Sequence, residues 1–188
     1  MTVLTSDTTP IRIDQVTVSG GGRLGMTFCP GKKDAHAASG AWDRELDTDL
    51  AAIRDWGASL LVTLVEPHEL DVLEVPGLGR RVVEFGMDWL HLPIVDVSVP
   101  SREFENAWPG HGGDMASRLA RGEGIVLHCR GGLGRTGLVA ARLLVEFGYD
   151  PAAAIADVRA ARPGAIETAA QERYVLACRP MGAPFPRF

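Results

Sequence analysis

The stretch Ile125-Val-Leu-His128-Cys129-Arg-Gly-Gly-Leu-Gly-Arg135-Thr136-Gly137 decides the fold of this chain. Ile125 to His128 suits a short strand covered on both faces. Three glycines follow, Gly131, Gly132 and Gly134. From Thr136 the apolar residues recur at helical spacing as far as Phe147, and Gly148 stops the run. Strand, glycine loop and helix therefore succeed one another without a gap. Glycine lets successive backbone N–H groups turn toward one centre without Cβ clashes. The helix adds its free N–H groups and the positive end of its dipole. Together they make a socket for a tetrahedral anion of the phosphate or sulfate type.

Two side chains give the socket chemistry. Cys129 stands at its entrance, where the N–H groups and Arg135 favour thiolate over thiol. Arg135 follows after five intervening residues, Cys-x5-Arg, so one winding of the loop returns the guanidinium to the same centre. Its planar fork grips two oxygens at once. A buried structural cysteine and a surface arginine could explain these two residues singly. They do not explain the glycines set between a strand and a helix.

Outward from this segment, Ile11 to Val18 alternates as a strand and Leu24 to Phe28 can pair with it across Gly20–Gly22. Gly31 to Gly40 reads as a polar loop. Asp43 to Trp56 puts Leu46, Leu50 and Ile53 on one helical face before Gly57. Ser59 to Val65 is a strand, Pro67 to Leu73 a short helix, Leu78 to Phe85 another helix, and Trp89 to Leu92 a strand. Ser101 caps a helix that Pro109–Gly113 should interrupt or end, with a separate helical segment from Met115 to Arg121. Asp150–Pro151 opens a helix to about Arg162, and Thr168 opens the last one, to about Cys178. This alternation predicts an α/β single domain over residues 1–188, with irregular tails at 1–10 and 180–188. Its central sheet is mostly parallel, of about five strands, with helices on both faces.

Composition narrows the function classes. The 188 residues carry a net charge of −5, which argues against broad nucleic-acid binding. The longest apolar run, Ala58 to Val65, is too short to span a bilayer, so no membrane role is expected. Met1 to Pro10 lacks a basic region followed by an apolar run, and a cytoplasmic, reducing setting is expected. Three widely spaced cysteines, Cys29, Cys129 and Cys178, form neither a disulfide framework nor a CxxC pair. Cys29 and Cys178 read as buried and inert; a disulfide between Cys29 and Cys129 is not decided by spacing. His36, His68, His91 and His111 are scattered without a metal-ligand pattern, and no metal or cofactor is expected. Gly20-x-Gly22-x-x-Gly25 matches a dinucleotide fingerprint, but Met26 to Pro30 reads as a strand and a break where that motif needs a helix.

His128-Cys129-x5-Arg135-Thr136-Gly137 resembles the signature of the protein tyrosine and dual-specificity phosphatase superfamily. Leu92-Pro-Ile-Val-Asp96, the Gly-Gly-Leu-Gly loop and Gly164-Ala-Ile-Glu-Thr-Ala-Ala-Gln171 resemble its kinase-associated phosphatase group (cyclin-dependent kinase inhibitor 3-like). Order and spacing agree from about Leu24 to Leu176. The resemblance implies the cysteine-phosphatase fold and a metal-free phosphomonoester hydrolase acting on a phosphorylated protein or a small phosphomonoester. It implies that Cys129 attacks phosphorus and forms a thiophosphate intermediate. Arg130, Gly131, Gly132, Leu133, Gly134 and Arg135 would hold the phosphoryl oxygens. Thr136 would donate a hydrogen bond to the sulfur, His128 would orient the loop, Asp96 would be the general acid, and Gln171 would help position water. Arg130 is the sole charged residue between Cys129 and Arg135, unlike the lysine-bearing loops of lipid phosphatases, and a tyrosine-recognition segment is not evident. Dual specificity fits better than strict phosphotyrosine specificity.

Two of these residues have other readings. Asp96 follows a strand of a parallel sheet, which puts it at the carboxyl edge where such sites form, and a carboxylic acid there can protonate a leaving oxygen; a loop aspartate can also simply cap a turn. Thr168-x-x-Gln171 fits a capping box as well as a water-positioning role, and both stay open. Two other function classes compete with hydrolysis. A phosphoprotein-binding module without turnover would not need Cys129, Arg135 and Asp96 together. A rhodanese-like sulfurtransferase also cradles an anion with a cysteine loop, but the Arg135-Thr136-Gly137 ending and a separate acid suit phosphate better.

Overall fold

A computed structural model describes residues 3–37 and 40–182. Its elements in chain order are β1 (Asp14–Thr17), β2 (Arg23–Phe28), β3 (Lys33–Asp34), β4 (Trp42–Asp43), α1 (Leu46–Trp56), β5 (Ala58–Thr63), α2 (Pro67–Val72), α3 (Leu78–Glu84), β6 (Asp88–His91), α4 (Arg102–Ala120), β7 (Gly124–Cys129), α5 (Gly134–Glu146), α6 (Pro151–Ala161) and α7 (Ala169–Ala177). The main sheet has five strands in the order β1-β2-β7-β5-β6. β1 pairs antiparallel with β2, and the other three pairings are parallel. The α/β class and the mostly parallel five-stranded sheet are as the sequence pattern predicts.

The topology places the site. The chain moves outward from β2 to β5 and then to β6, and returns through α4 to β7 at the centre of the sheet. Crossovers between parallel strands are right-handed, so the outward steps carry α1 and α3 to one face and the return step carries α4 to the other. α1 and α3 pack on each other and on β5 and β6, whereas α4, α5, α6 and α7 pack together over β7, β2 and β1. β7 is buried along its whole length and α5 is buried all round. Each buried Leu, Ile or Met side chain of that core, such as Met26, Leu127 and Leu138, contributes about 1.5–3 kcal/mol through removal from water.

One expectation is corrected. α4 runs unbroken through Pro109 and the three glycines beyond it. Phe104, Trp108, Met115, Ala116 and Leu119 line its buried face, and the Trp108 Nε1–H donates to Glu146 Oε1 at 2.9 Å. A Cβ at position 112 would lie 2.6 Å from the Trp108 ring, so that glycine is what lets the indole lie flat on its own helix. Packing of the tryptophan outweighs local helix propensities of about 1 kcal/mol per glycine. The polar loop from Gly31 also contains β3, which pairs antiparallel with β4. Residues 3–10 form no helix or strand beyond a single bridge from Leu4 to Trp42, yet Ser6 is buried and donates to Asp49 Oδ1 at 2.9 Å. Residues 1, 2 and 183–188 of the expected tails lie outside the described residues. Among the described residues, no helix is long and apolar enough to cross a membrane.

Candidate active site

Cys129 ends β7 at the carboxyl edge of the sheet, and its side chain is buried. The loop then turns through Gly132, at φ +74°, into α5. A Cβ at 132 would sit 2.3 Å from the Thr27 carbonyl oxygen of β2, so the loop packs against the neighbouring strand more closely than any other residue allows. The Gly132 N–H donates to Cys129 Sγ at 3.2 Å. Gly134 is needed for a different approach: a Cβ there would meet the Glu167 carboxylate at 2.5 Å and the Gln171 amide at 3.0 Å.

Arg135, in the first turn of α5, is buried and held from three sides. Nη1 donates to Glu69 Oε2 at 2.5 Å and to the Ile94 carbonyl at 3.1 Å. Nη2 donates to Glu69 Oε1 at 2.9 Å and lies 2.8 Å from Asp96 Oδ1. Among the described residues nothing accepts from Nε–H. The guanidinium edge left open is therefore Nε together with the second Nη2 hydrogen, on the side where Asp96 approaches. Burial works against the charge on Arg135, but the Glu69 carboxylate overrides it and holds the guanidinium above its ordinary range. Burial likewise opposes ionisation of Glu69, and the bonds from Arg135 and from the Glu66 N–H outweigh it, keeping its carboxyl below the usual range.

His128 is buried beneath the loop in a chain of bonds. Trp89 Nε1–H donates to Thr63 Oγ1 at 2.8 Å, and Thr63 Oγ1 lies 2.8 Å from His128 Nε2. The Cys129 carbonyl beside Nδ1 can only accept, so Nε2 is the bare nitrogen and takes the Thr63 hydroxyl hydrogen. That leaves the His128 proton on Nδ1, facing the Cys129 carbonyl at 3.4 Å. Burial pushes the imidazole down to about 3, so it stays neutral.

Asp96 follows β6 on an exposed loop and reaches Arg135 across 39 positions of sequence. Gln171 is buried and takes part in the capping box: its Oε1 accepts from Glu167 N at 3.0 Å and Thr168 N at 3.3 Å. Its Nε2 donates to the Ser98 carbonyl at 3.1 Å, which ties α7 to the Asp96 loop and leaves one amide hydrogen over. Thr136 makes no bond to the sulfur in this structure. Its hydroxyl is buried without a hydrogen-bond partner among the described residues, and the sulfur is held by the Gly132 N–H in its place. The Arg130 side chain turns away from the socket to Asp34, at 2.9 and 3.0 Å.

Three residues of the site carry no signal in the Cys-x5-Arg segment. Glu69 anchors Arg135 from α2; the only trace in the sequence is Glu66-x-x-Glu69, a capping-box spacing that the structure confirms. Lys32 is buried with its ammonium 3.4 Å from the Arg130 carbonyl and 4.2 Å from the Trp42 ring centre, and burial lowers it to about 8. Arg162, beyond α6, donates to the Gly131 and Gly132 carbonyls. An open cleft of about 600 Å³ leads to the loop, walled by Phe28, Lys32, Trp42, Asp96, Arg130 and Leu133. The other two thiols are quiet. Burial raises Cys29 well above the ordinary thiol range and Cys178 to about 11.

Comparison with known proteins agrees with this geometry. A family model described as "Polymorphic toxin system, DSP-PTPase phosphatase" matches residues 38–149. Cyclin-dependent kinase inhibitor 3 of Rattus norvegicus is 30% identical over 155 residues, 81% of this chain and 69% of that protein. Its Mus musculus counterpart is 29% identical over 154 residues with the same coverage. A crystal structure of kinase associated phosphatase, its catalytic site cysteine substituted by serine, superposes with a TM-score of 0.77 at 28% identity, covering 89% of this chain and 93% of that one. The active form of Tk-PTP gives 0.63 at 27% identity, over 87% and 93%. The chain therefore belongs to the dual-specificity phosphatase superfamily and is a protein tyrosine/dual-specificity phosphatase.

Proposed function

We propose that the enzyme cleaves phosphomonoesters, with phosphorylated protein side chains as the main substrate class, through a thiophosphate on Cys129. The observation that carries this is the meeting of Asp96 and Arg135 at 2.8 Å beside a sulfur that already accepts the Gly132 N–H at 3.2 Å. Incoming phosphate takes Nε and Nη2 of Arg135 as a bidentate pair and the loop N–H groups of 130–135. That exchange frees the Asp96 carboxylate from the guanidinium; it takes up a proton from solvent and turns to face the leaving oxygen. Cys129 Sγ forms a bond to phosphorus, the ester P–O bond breaks, and Asp96 supplies the proton to the departing oxygen. Water then attacks phosphorus, gives its proton to the Asp96 carboxylate, and the S–P bond breaks to return the thiolate. The Thr136 hydroxyl, which has no partner among the described residues of the resting site, would turn to the leaving thiolate, and the spare Gln171 amide hydrogen would meet the water. Charge neutralisation comes from Arg135 and backbone dipoles, without a metal. The closed, neutral His128 chain keeps the loop in register and takes no proton.

The test is hydrolysis of para-nitrophenyl phosphate in reducing buffer with EDTA. Wild type should turn over, and Cys129→Ser should abolish the activity. Asp96→Asn should lose about 10²-fold in kcat/KM, and more on substrates with poor leaving groups. An inactive wild type that still binds phosphopeptides would mean a binding module. Thiocyanate production from cyanide and thiosulfate would mean sulfur transfer.

A further inference from the structure

We infer that Arg162 is a positioning residue that sets the phosphate socket from behind, and this rests on the proposal that the Cys129 loop binds phosphate. Arg162 lies just past α6, and its side chain is about one-tenth exposed. Nε donates to the Gly132 carbonyl, and Nη2 donates to the Gly131 carbonyl at 3.3 Å. Nη1 pairs with Asp14 Oδ2 at 2.7 Å and touches the Met26 carbonyl at 3.5 Å. Asp14 lies on β1, almost fully buried, and also binds Arg12. One guanidinium thus ties α6 and the edge strand to two successive carbonyls of the anion loop.

Peptide planarity turns those bonds outside the socket into geometry inside it. A trans peptide points its C=O and N–H in opposite directions. The Gly131 carbonyl and the Gly132 N–H belong to one peptide plane. Arg162 holds the oxygen end while the nitrogen end donates to Cys129 Sγ at 3.2 Å. The next plane carries the Gly132 carbonyl and the Leu133 N–H, so the Nε bond turns the Leu133 N–H inward as well. Gly131 and Gly132 flank the first plane and Gly132 opens the second, and glycine tolerates either orientation, so these planes could otherwise flip. A flip would present carbonyl oxygens to an anion where N–H groups are needed. Arg162 blocks it by binding the very oxygens that would turn in, and its positive charge at the oxygen end polarises each N–H toward the anion. Asp14 aims the fork; a lysine would supply charge without it.

The experiment measures anion binding apart from folding. Arg162→Met and Arg162→Lys are compared with wild type in orthovanadate inhibition, kcat, KM and thermal melting, with assays run well below each variant's Tm. Arg162→Met should weaken vanadate inhibition and lower kcat/KM by about 30-fold, somewhat less than loss of a direct oxyanion donor. Arg162→Lys should lose roughly 10-fold. Guanidinium chloride at about 20 mM should restore part of the activity of Arg162→Ala and do nothing for wild type. A purely structural role would lower Tm and leave vanadate affinity and kcat/KM of the folded enzyme unchanged, which overturns the inference. If Arg162→Met does not fold, Arg162→Lys decides: wild-type vanadate affinity in that variant overturns it equally. Failure of the underlying proposal is a separate result, namely a wild-type enzyme that neither turns over nor binds vanadate.

Discussion

Two loops meet at the carboxyl edge of the sheet, and they are built in opposite ways. The Cys129 loop is locked. Its cysteine is 3% exposed, Gly132 packs against the β2 backbone, and Arg162 and Lys32 engage its carbonyls from two directions. The Asp96 loop is open. Val95 is 53% exposed and Val97 61%, Val97 sits at φ +58°, and the Asp96 carboxylate bonds back to the Val97 N–H. A few ties restrain it, chiefly Gln171 to the Ser98 carbonyl, Arg135 to the Ile94 carbonyl and the ion pair between Arg135 and Asp96. The contrast follows from what each loop is proposed to do. A socket of backbone dipoles stabilises charge only if it is already oriented, because reorientation during the reaction costs what the dipoles would gain. A general acid that first pairs with Arg135 and then faces a leaving oxygen has to yield.

The largest effect should come from breaking the locked loop at its tightest point. Gly132→Ala forces a Cβ to 2.3 Å from the Thr27 carbonyl oxygen at φ +74°. That oxygen belongs to a paired strand and cannot step aside cheaply. We expect a loss of about 3 kcal/mol in stability by urea unfolding. The surviving folded enzyme should lose about 10³-fold in kcat/KM. Gly131→Ala is the control. Nothing lies within 4 Å of its Cβ and its φ is not positive, so stability should stay within about 0.5 kcal/mol. Equal damage from the two substitutions would show that the loop is not locked at Gly132.

Glu69 belongs to the locked side although it lies on a different helix. Glu69→Gln keeps an oxygen for Arg135 but removes the countercharge from a buried guanidinium. Stability at pH 7 should fall by about 2 kcal/mol. The loss in kcat/KM should be about 30-fold, because the clamp is no longer aimed. The pH dependence has a fixed sign. Glu69 is held below its ordinary carboxylate range, so its contribution is present above that range and disappears as pH falls through the folded value. The gap between wild type and Glu69→Gln in urea unfolding should therefore narrow between pH 7 and pH 4. A gap that stays constant would mean the charge on Glu69 is not what matters.

How much of this was legible in the sequence tracks the same division. Strand, glycines, cysteine and arginine of the socket occupy one contiguous segment, and each backbone requirement there leaves a local mark. The parallel sheet showed through its alternating elements for the same reason. What braces the socket is dispersed. Glu69 reaches Arg135 across 66 positions and Arg162 reaches Gly132 across 30, and neither spacing has a local rule. Both sit in short polar stretches that read equally well as helix ends. At Pro109 the local rule was clear and was overridden, since burial of Trp108 on the inner face of its own helix gains more than the helix loses at its proline and glycines. Asp96 was reachable from sequence because it follows a strand of the parallel sheet, while the ion pair that now restrains it was not.

The smallest effect should come from the open loop, at Val97. A β-branched residue at φ +58° carries strain of about 1 kcal/mol or more, which glycine would relieve. Glycine also frees the unfolded chain by a similar amount, about 0.5–1 kcal/mol in the opposite direction. The side chain is 61% exposed, so little packing is lost. Val97→Gly should therefore leave stability within about 0.5 kcal/mol of wild type. If the loop must yield for Asp96 to act, kcat/KM should change by less than about threefold, since the strained turn does not fix the acid in its final position. A drop of tenfold or more, with Tm unchanged, would mean that the left-handed turn at Val97 holds the carboxyl where it works. The acid loop would then belong with the socket among the parts oriented in advance, and the contrast between the two loops would be one of exposure alone.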